Sequence, residues 1–238
     1  MIIIFDTDRA SDSPFVERVW SCHSERGGPF LSVASSQWEM VITRLYGATV
    51  VTLRGPETTV REVECPPEGE WFAIRFKAGT YMPQLPMASL LNGQDVNLPT
   101  SARSFHWNRA RWELPNFENA ETFVARIAKA GIIARDPAVE AALQGDEHAL
   151  SQRSAQRHFL QATGMSQATL RQIERARHAT NLLRRGVSIG DTVHEAGFFD
   201  QAHLTRSLRQ LIGLTPAKIA REEQQLSFLY NTATSSPP

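Results

Sequence analysis

The sequence is poor in the residues that mark several large protein classes. Its 238 residues include two cysteines, Cys22 and Cys65. They are too few and too far apart for a disulfide framework or a zinc motif, and they read as small apolar residues in a reducing compartment. No apolar run approaches the ~20 residues of a membrane-spanning helix. The start, MIIIFDTD, has no basic stretch ahead of its short apolar run, so a secretory signal is not expected. Histidine is scarce where a metal-binding barrel would need it. The first half holds His23 and His106, far apart, and neither a metal nor another cofactor is expected. A glycine-rich phosphate loop and a nucleophile elbow are missing, so an enzyme would lack its usual marks. The expectation is a soluble cytoplasmic protein with no catalytic activity and no membrane partner.

Net charge is missing too, but only in sum. Lys and Arg number 25, as do Asp and Glu. Residues 148–221 hold 11 basic and 4 acidic side chains, an excess of +7, and the remainder carries the compensating −7. A basic segment on an acidic remainder suits a polyanionic partner. The plainer alternative is a chance cluster of surface arginines.

The first hundred residues read as β-rich. Ile2–Phe5 and Phe15–Cys22 are candidate strands. Trp38, Met40 and Ile42 alternate with Glu39, Val41 and Thr43, which gives a strand with one apolar face. Thr49–Leu53 is a β-branched run closed by Arg54-Gly55-Pro56, and Trp71–Phe76 is another strand. Short strands separated by turn signals suggest a sandwich or a small barrel. Residues 83–99 are loop-rich. The aromatics Trp38, Trp71, Phe72 and Phe76 have two readings, as the lining of an effector pocket or as plain core.

Beyond about residue 100 the texture turns helical, and the domain boundary is expected within 100–118. This divides the chain into a β-rich regulatory domain, 1–112, and a helical domain, 118–226, with a disordered tail at 231–238. Phe123, Ile127 and Ala130 lie at helical spacing. Asp136-Pro137 is a helix start, a capping residue followed by proline, with Val139 and Leu143 on its apolar face. Gly145 ends that helix. Ser151 caps the next, which carries Ala155, Phe159 and Leu160 inward and stops at Thr163-Gly164. A long helix runs from Ser166 to about Arg185, with Leu170, Ile173, Ala176 and Leu183 inward, and Gly186 ends it. At ~1.5 Å per residue it spans roughly 30 Å, close to the ~34 Å repeat of the major groove along one face of DNA.

The chain is organised around Ser188–Arg209, SIGDTVHEAGFFDQAHLTRSLR. Ser188 and Asp191 have capping-box spacing, Ile189 and Val193 share a face, and Gly197 makes a tight turn. Asp200 caps a second helix whose inner face is Leu204 and Leu208. Its other face offers Gln201, His203, Thr205, Arg206 and Arg209, side chains able to reach base edges and phosphates. That is the build of a helix-turn-helix; the alternative is a solvated helical hairpin. Gly213 then breaks the helix, and Thr215-Pro216 starts another.

Ser151–Phe159 with Thr163-Gly164, then Ala196-Gly197-Phe198, Asp200–Arg206, Gly213 and Thr215-Pro216-Ala217 resemble the AraC/XylS-type transcription regulators. The resemblance covers Asp136 to Arg221. It implies an α+β chain: an N-terminal β-rich domain, a cupin-like barrel or sandwich, then an all-α domain with two helix-turn-helix units joined by a long helix. It implies two helices in the major groove of promoter DNA. Carried over by position, Gln152, Arg153, Ser154 and Arg157 form the first reading set. Asp200, Gln201, His203, Thr205 and Arg206 form the second, with Arg209 beside them. Asp200 suits its cap better than a place among phosphates. The first unit departs from the family: Ala155 replaces a larger apolar residue, and AVEAALQGDEHAL lacks a clear Ala and Gly. Phosphate contacts fall to Arg171, Arg175, Arg177, Arg184, Arg185, Arg209 and Lys218, or a subset. The expected partners are double-stranded DNA, a small-molecule effector, RNA polymerase and a second copy of the chain. An interaction module that has lost DNA binding, and a β-barrel enzyme with a helical appendage, are the rival readings.

Overall fold

The computed structural model describes residues 3–143 and 152–221. The expected cap at Ser151, the stop at Gly145 and the tail at 231–238 lie outside the described residues, as do the side chains of Leu143, Gln152 and Ala155.

Eleven strands lead the chain: β1 (Ile3–Ala10), β2 (Val16–Ser24), β3 (Gly28–Ser32), β4 (Glu39–Leu45), β5 (Ala48–Arg54), β6 (Arg61–Cys65), β7 (Glu70–Phe76), β8 (Thr80–Tyr81), β9 (Val96–Leu98), β10 (Ser104–Trp107) and β11 (Ala110–Glu113). Six of them form one antiparallel sheet in the order β1-β2-β7-β4-β5-β9, and β3 pairs with β6 as a separate ribbon. The strand alternation decides what each face of the sheet does. One face presents Met40, Ile42, Leu53, Ile74 and Phe76 to an apolar core. Helix α1 (Ala120–Lys129) covers that core with Phe123, Val124 and Ile127, and the β10–β11 hairpin adds Phe105, Trp107 and Trp112. Burying a side chain of this size contributes about 2 kcal/mol, so α1 is held by the sheet it covers.

The other face carries charge. Register places Arg18, Arg75, Glu39 and Arg54 side by side across β2, β7, β4 and β5. Arg75 Nε donates to Glu39 Oε1 at 2.6 Å, and Arg18 pairs with Asp8 at 3.0 Å. Burial works against an ionised Glu39, but Arg75 and Arg54 outweigh it and hold the carboxyl below the usual carboxylate range. The β3–β6 ribbon lies over this face, with Phe30 and Cys65 packed near Ile3, Cys22, Trp20 and Trp71. A sheet with a ribbon laid on it matches the sandwich alternative.

The short strand β12 (Ala134–Arg135) pairs with β8 and leads into the helices. These are α2 (Pro137–Leu143), α3 (Gln152–Thr163), α4 (Gln167–Arg184), α5 (Ile189–Glu195), α6 (Gln201–Leu211) and α7 (Pro216–Ala220). Helix α4 is their centre, contacting α5, α6 and α7. Its Leu170, Ile173, Ala176 and Leu183 are buried, as the spacing predicts. Leu160 differs from expectation: Phe159 takes the inward place at 1 % exposure, and Leu160, turned about 100° further round the helix, stands 46 % exposed.

Candidate nucleic-acid interface

The second helix-turn-helix is built by its caps. Ser188 Oγ accepts from the Asp191 amide at 3.1 Å and donates to its carboxylate at 2.6 Å. Helix α5 ends at Gly197, whose φ of +67° is the left-handed turn that glycine allows. The Phe198 amide donates to the Val193 carbonyl at 2.8 Å, which satisfies an end carbonyl of α5. Asp200 Oδ1 then accepts from the His203 amide at 2.6 Å and opens α6, so its cap role is the observed one. Leu204 and Leu208 are fully buried beneath. Phe198 seals the turn: its ring meets His203 edge-on at 5.3 Å and lies under the Arg175 guanidinium at 5.5 Å. Arg175 also donates to the Gly197 carbonyl at 3.2 Å, tying the turn to α4.

This packing sorts the expected reading set. Gln201, Arg206 and Arg209 are exposed on the outer side of α6. His203 is half-buried against Phe198, and Thr205 Oγ1 donates to the Gln201 carbonyl at 2.8 Å. On α3, Arg153 and Arg157 are exposed and Ser154 is half-buried. Helix α4, which lies between them in the chain, is 18 residues or roughly 27 Å long at ~1.5 Å per residue. Ser166 caps α4, accepting from the Thr169 amide at 3.1 Å.

Of the arginines expected to meet phosphates, Arg177 is turned inward. It donates to Gln37 Oε1 at 2.9 Å, and burial pushes its pKa down although Glu174 works against that. Ser36 bonds Glu174 beside it. The amides of Ala34 and Val60 donate to the Leu211 and Gln210 carbonyls, at 2.8 and 3.2 Å, at the end of α6. The β-rich part therefore grips both α4 and α6. None of this was legible in the sequence, because contacts between residues 34–37 and 174–211 leave no local pattern. Arg185, Arg209 and Lys218 are exposed.

The aromatic candidates separate as well. Trp38 and Phe76 stack ring on ring at 3.8 Å in the apolar core. Trp71 instead borders a cavity of about 220 Å³ between the charged sheet face and the β3–β6 ribbon. Phe5, Trp20, Phe30, Cys22 and Cys65 also line it. Burial pushes the Cys22 thiol pKa up, so it stays neutral. Among the described residues, no group of three or more His, Cys, Asp or Glu could hold a metal ion, and no helix is long and apolar enough to cross a membrane.

Comparison with known proteins fits the C-terminal geometry. A family model described as a helix-turn-helix domain matches residues 145–222, about a third of the chain. No curated protein matches. The solved structure of apo ToxT from Vibrio cholerae aligns over 93 % of this chain and 97 % of that one, at 7 % identity and a TM-score of 0.36, too low to assign a shared fold. Residues 145–222 are thus similar to a helix-turn-helix domain, the kind of unit that their sequence resembles.

Proposed function

We propose that this protein is a sequence-specific DNA-binding transcription regulator that reads the major groove with α3 and α6. The observation that carries this reading is the outer side of α6: Gln201, Arg206 and Arg209 exposed on a fully capped helix whose back is buried. Arginine pairs bidentately with guanine, so Arg157 and Arg206 are assigned to bases, with Gln152, Arg153, Ser154, Gln201, His203 and Thr205 beside them. Arg185, Arg209 and Lys218 serve phosphates. Residues 1–112 and 118–226 are the regulatory and DNA-binding domains, with α1 docked on the first. The aromatic-lined cavity beside Trp71 is the place for a small-molecule effector, since its ribbon leads into the residues that bond α4 and α6. RNA polymerase and a second copy complete the partners. The family match favours regulation over catalysis.

The test is a salt titration of binding to random duplex DNA, with Arg157→Ala/Arg206→Ala alongside. Wild type is expected to bind with a steep salt slope, and the double variant more weakly. Arg206→Ala should cost about 1–3 kcal/mol on a selected site and much less on random DNA. Absence of binding by wild type at low salt would favour the interaction module instead.

A further inference from the structure

Phe199 has no structural work to do. It is 90 % exposed, the most exposed large apolar side chain among the described residues. An apolar residue just before a helix cap ordinarily packs on the fourth helical residue, clamping the entry of the chain. Here the cap is Asp200, so that partner would be Leu204. Leu204 is completely buried while Phe199 stands in solvent, so the clamp is not made. The neighbouring Phe198 fills the core in its place. The backbone carrying Phe199 is nonetheless fixed on both sides, by the Phe198 amide on the Val193 carbonyl and by the Asp200 cap on His203. An apolar ring is thus held out rigidly at the N-terminal end of α6, the end that meets base edges in a helix-turn-helix.

We propose that Phe199 is a specificity residue that packs on a thymine 5-methyl group in the major groove. The proposal rests on the DNA-reading assignment of α6 and names what one of its residues selects. A phenyl ring donates and accepts no ordinary hydrogen bond, so the donor and acceptor pattern of the groove is closed to it. The thymine methyl is the one apolar group that an unmodified base pair shows there. Ala202, also exposed, stands in the first turn of α6 that follows, and Arg206 lies four residues later on the same stripe of the helix. This places a thymine next to the base that Arg206 reads.

The full-length protein is used to select binding sites from a random duplex library. Each thymine of a selected site is then replaced singly by deoxyuridine, which removes the methyl and leaves base pairing intact. Wild type is expected to lose roughly three- to tenfold in affinity at one thymine per α6 half-site, the scale of one buried methyl and its surroundings. Phe199→Ala should lose a similar factor on the unmodified site and become indifferent to deoxyuridine at that position. Its binding to random duplex and its melting temperature should stay those of wild type, since the side chain touches no core. Equal sensitivity to deoxyuridine in variant and wild type would overturn the proposal. So would unchanged DNA affinity of Phe199→Ala with loss of self-association or of polymerase recruitment, which would give the ring to a protein partner. Failure of wild type to bind any duplex would instead remove the DNA-reading assignment, and this proposal with it.

Discussion

Helices α5 and α6 are opened by their own caps and meet the β-rich part at the end of α6, whereas α2 and α3 lean on the β-rich part from their start. Asp136 opens α2 by accepting from the Ala138 amide, and its second oxygen meets His158 of α3 at 2.6 Å. The Asp136 amide itself donates to the Gly79 carbonyl at 2.9 Å. Helix α3 lies against β8 and the helical turn Met87–Gly93, and Gly164 closes onto the Met87 carbonyl. The difference teaches that two helical pairs of similar build can draw their stability from different places. The caps and the turn of the second lie within 24 residues, Ser188 to Leu211. The first is specified across its contacts with the β-rich part.

A pair of glycines breaks this comparison most sharply. Gly164 and Gly197 both end helices at positive φ, +74° and +67°. A Cβ on Gly197 would meet nothing within 4 Å, whereas one on Gly164 would lie 2.9 Å from the Met87 carbonyl oxygen and the Ala88 amide nitrogen. Gly197→Ala should therefore cost only the backbone term, about 1–2 kcal/mol. Gly164→Ala should cost about 3 kcal/mol or more and loosen α3 from the β-rich part. Urea unfolding reads both, and equal costs would show that α3 does not need its β-rich support.

The two capping aspartates give the next difference. Asp200→Ala loses an exposed cap, about 1 kcal/mol. Asp136→Ala loses a cap and a partly buried bond to His158 together, about 2 kcal/mol. Proteolysis should then cut first around α2 in the Asp136 variant and around α6 in the Asp200 variant.

The smallest effect concerns a contact outside both units. Arg9 of β1 grips Glu121 of α1 with Nη2–Oε2 at 2.8 Å, and that hydrogen bond lowers the Glu121 pKa to about 2. A carboxyl depressed in the folded state stabilises above its unfolded pKa of ~4.3 and stops doing so as pH falls toward about 2. Because the pair is about one-third exposed, its worth is held below ~1 kcal/mol. Glu121→Gln should remove that part of the acid sensitivity while leaving DNA binding unchanged, as a melting series from pH 5 to about 2.5 would reveal.

Legibility followed the range of the forces involved. The strand at residues 38–42 was readable from its period-2 alternation, that at 49–53 from its β-branched run and closing turn signal, and that at 71–76 from its short apolar and aromatic run. The β10–β11 hairpin was not, and its residues 104–113 fell in the expected boundary region. Its turn places Asn108 and Arg109 at φ of 51° and 63°, a shape usually announced by Asn-Gly. Arginine in the glycine position hid it. Helix α1 showed its apolar stripe, but the stripe does not say which core it joins.

By itself the sequence determined the second helix-turn-helix, the long helix and the basic charge of the segment that holds them. Caps, left-handed glycines and 3.6-residue spacing act within a few residues, so they can be read in order along the chain. Only the tertiary structure decided that Arg177 faces the β-rich part instead of DNA, that His203 braces Phe198, and that Phe199 stands unsupported. Which neighbour a side chain meets across 140 residues depends on how whole elements dock, and no local pattern encodes that.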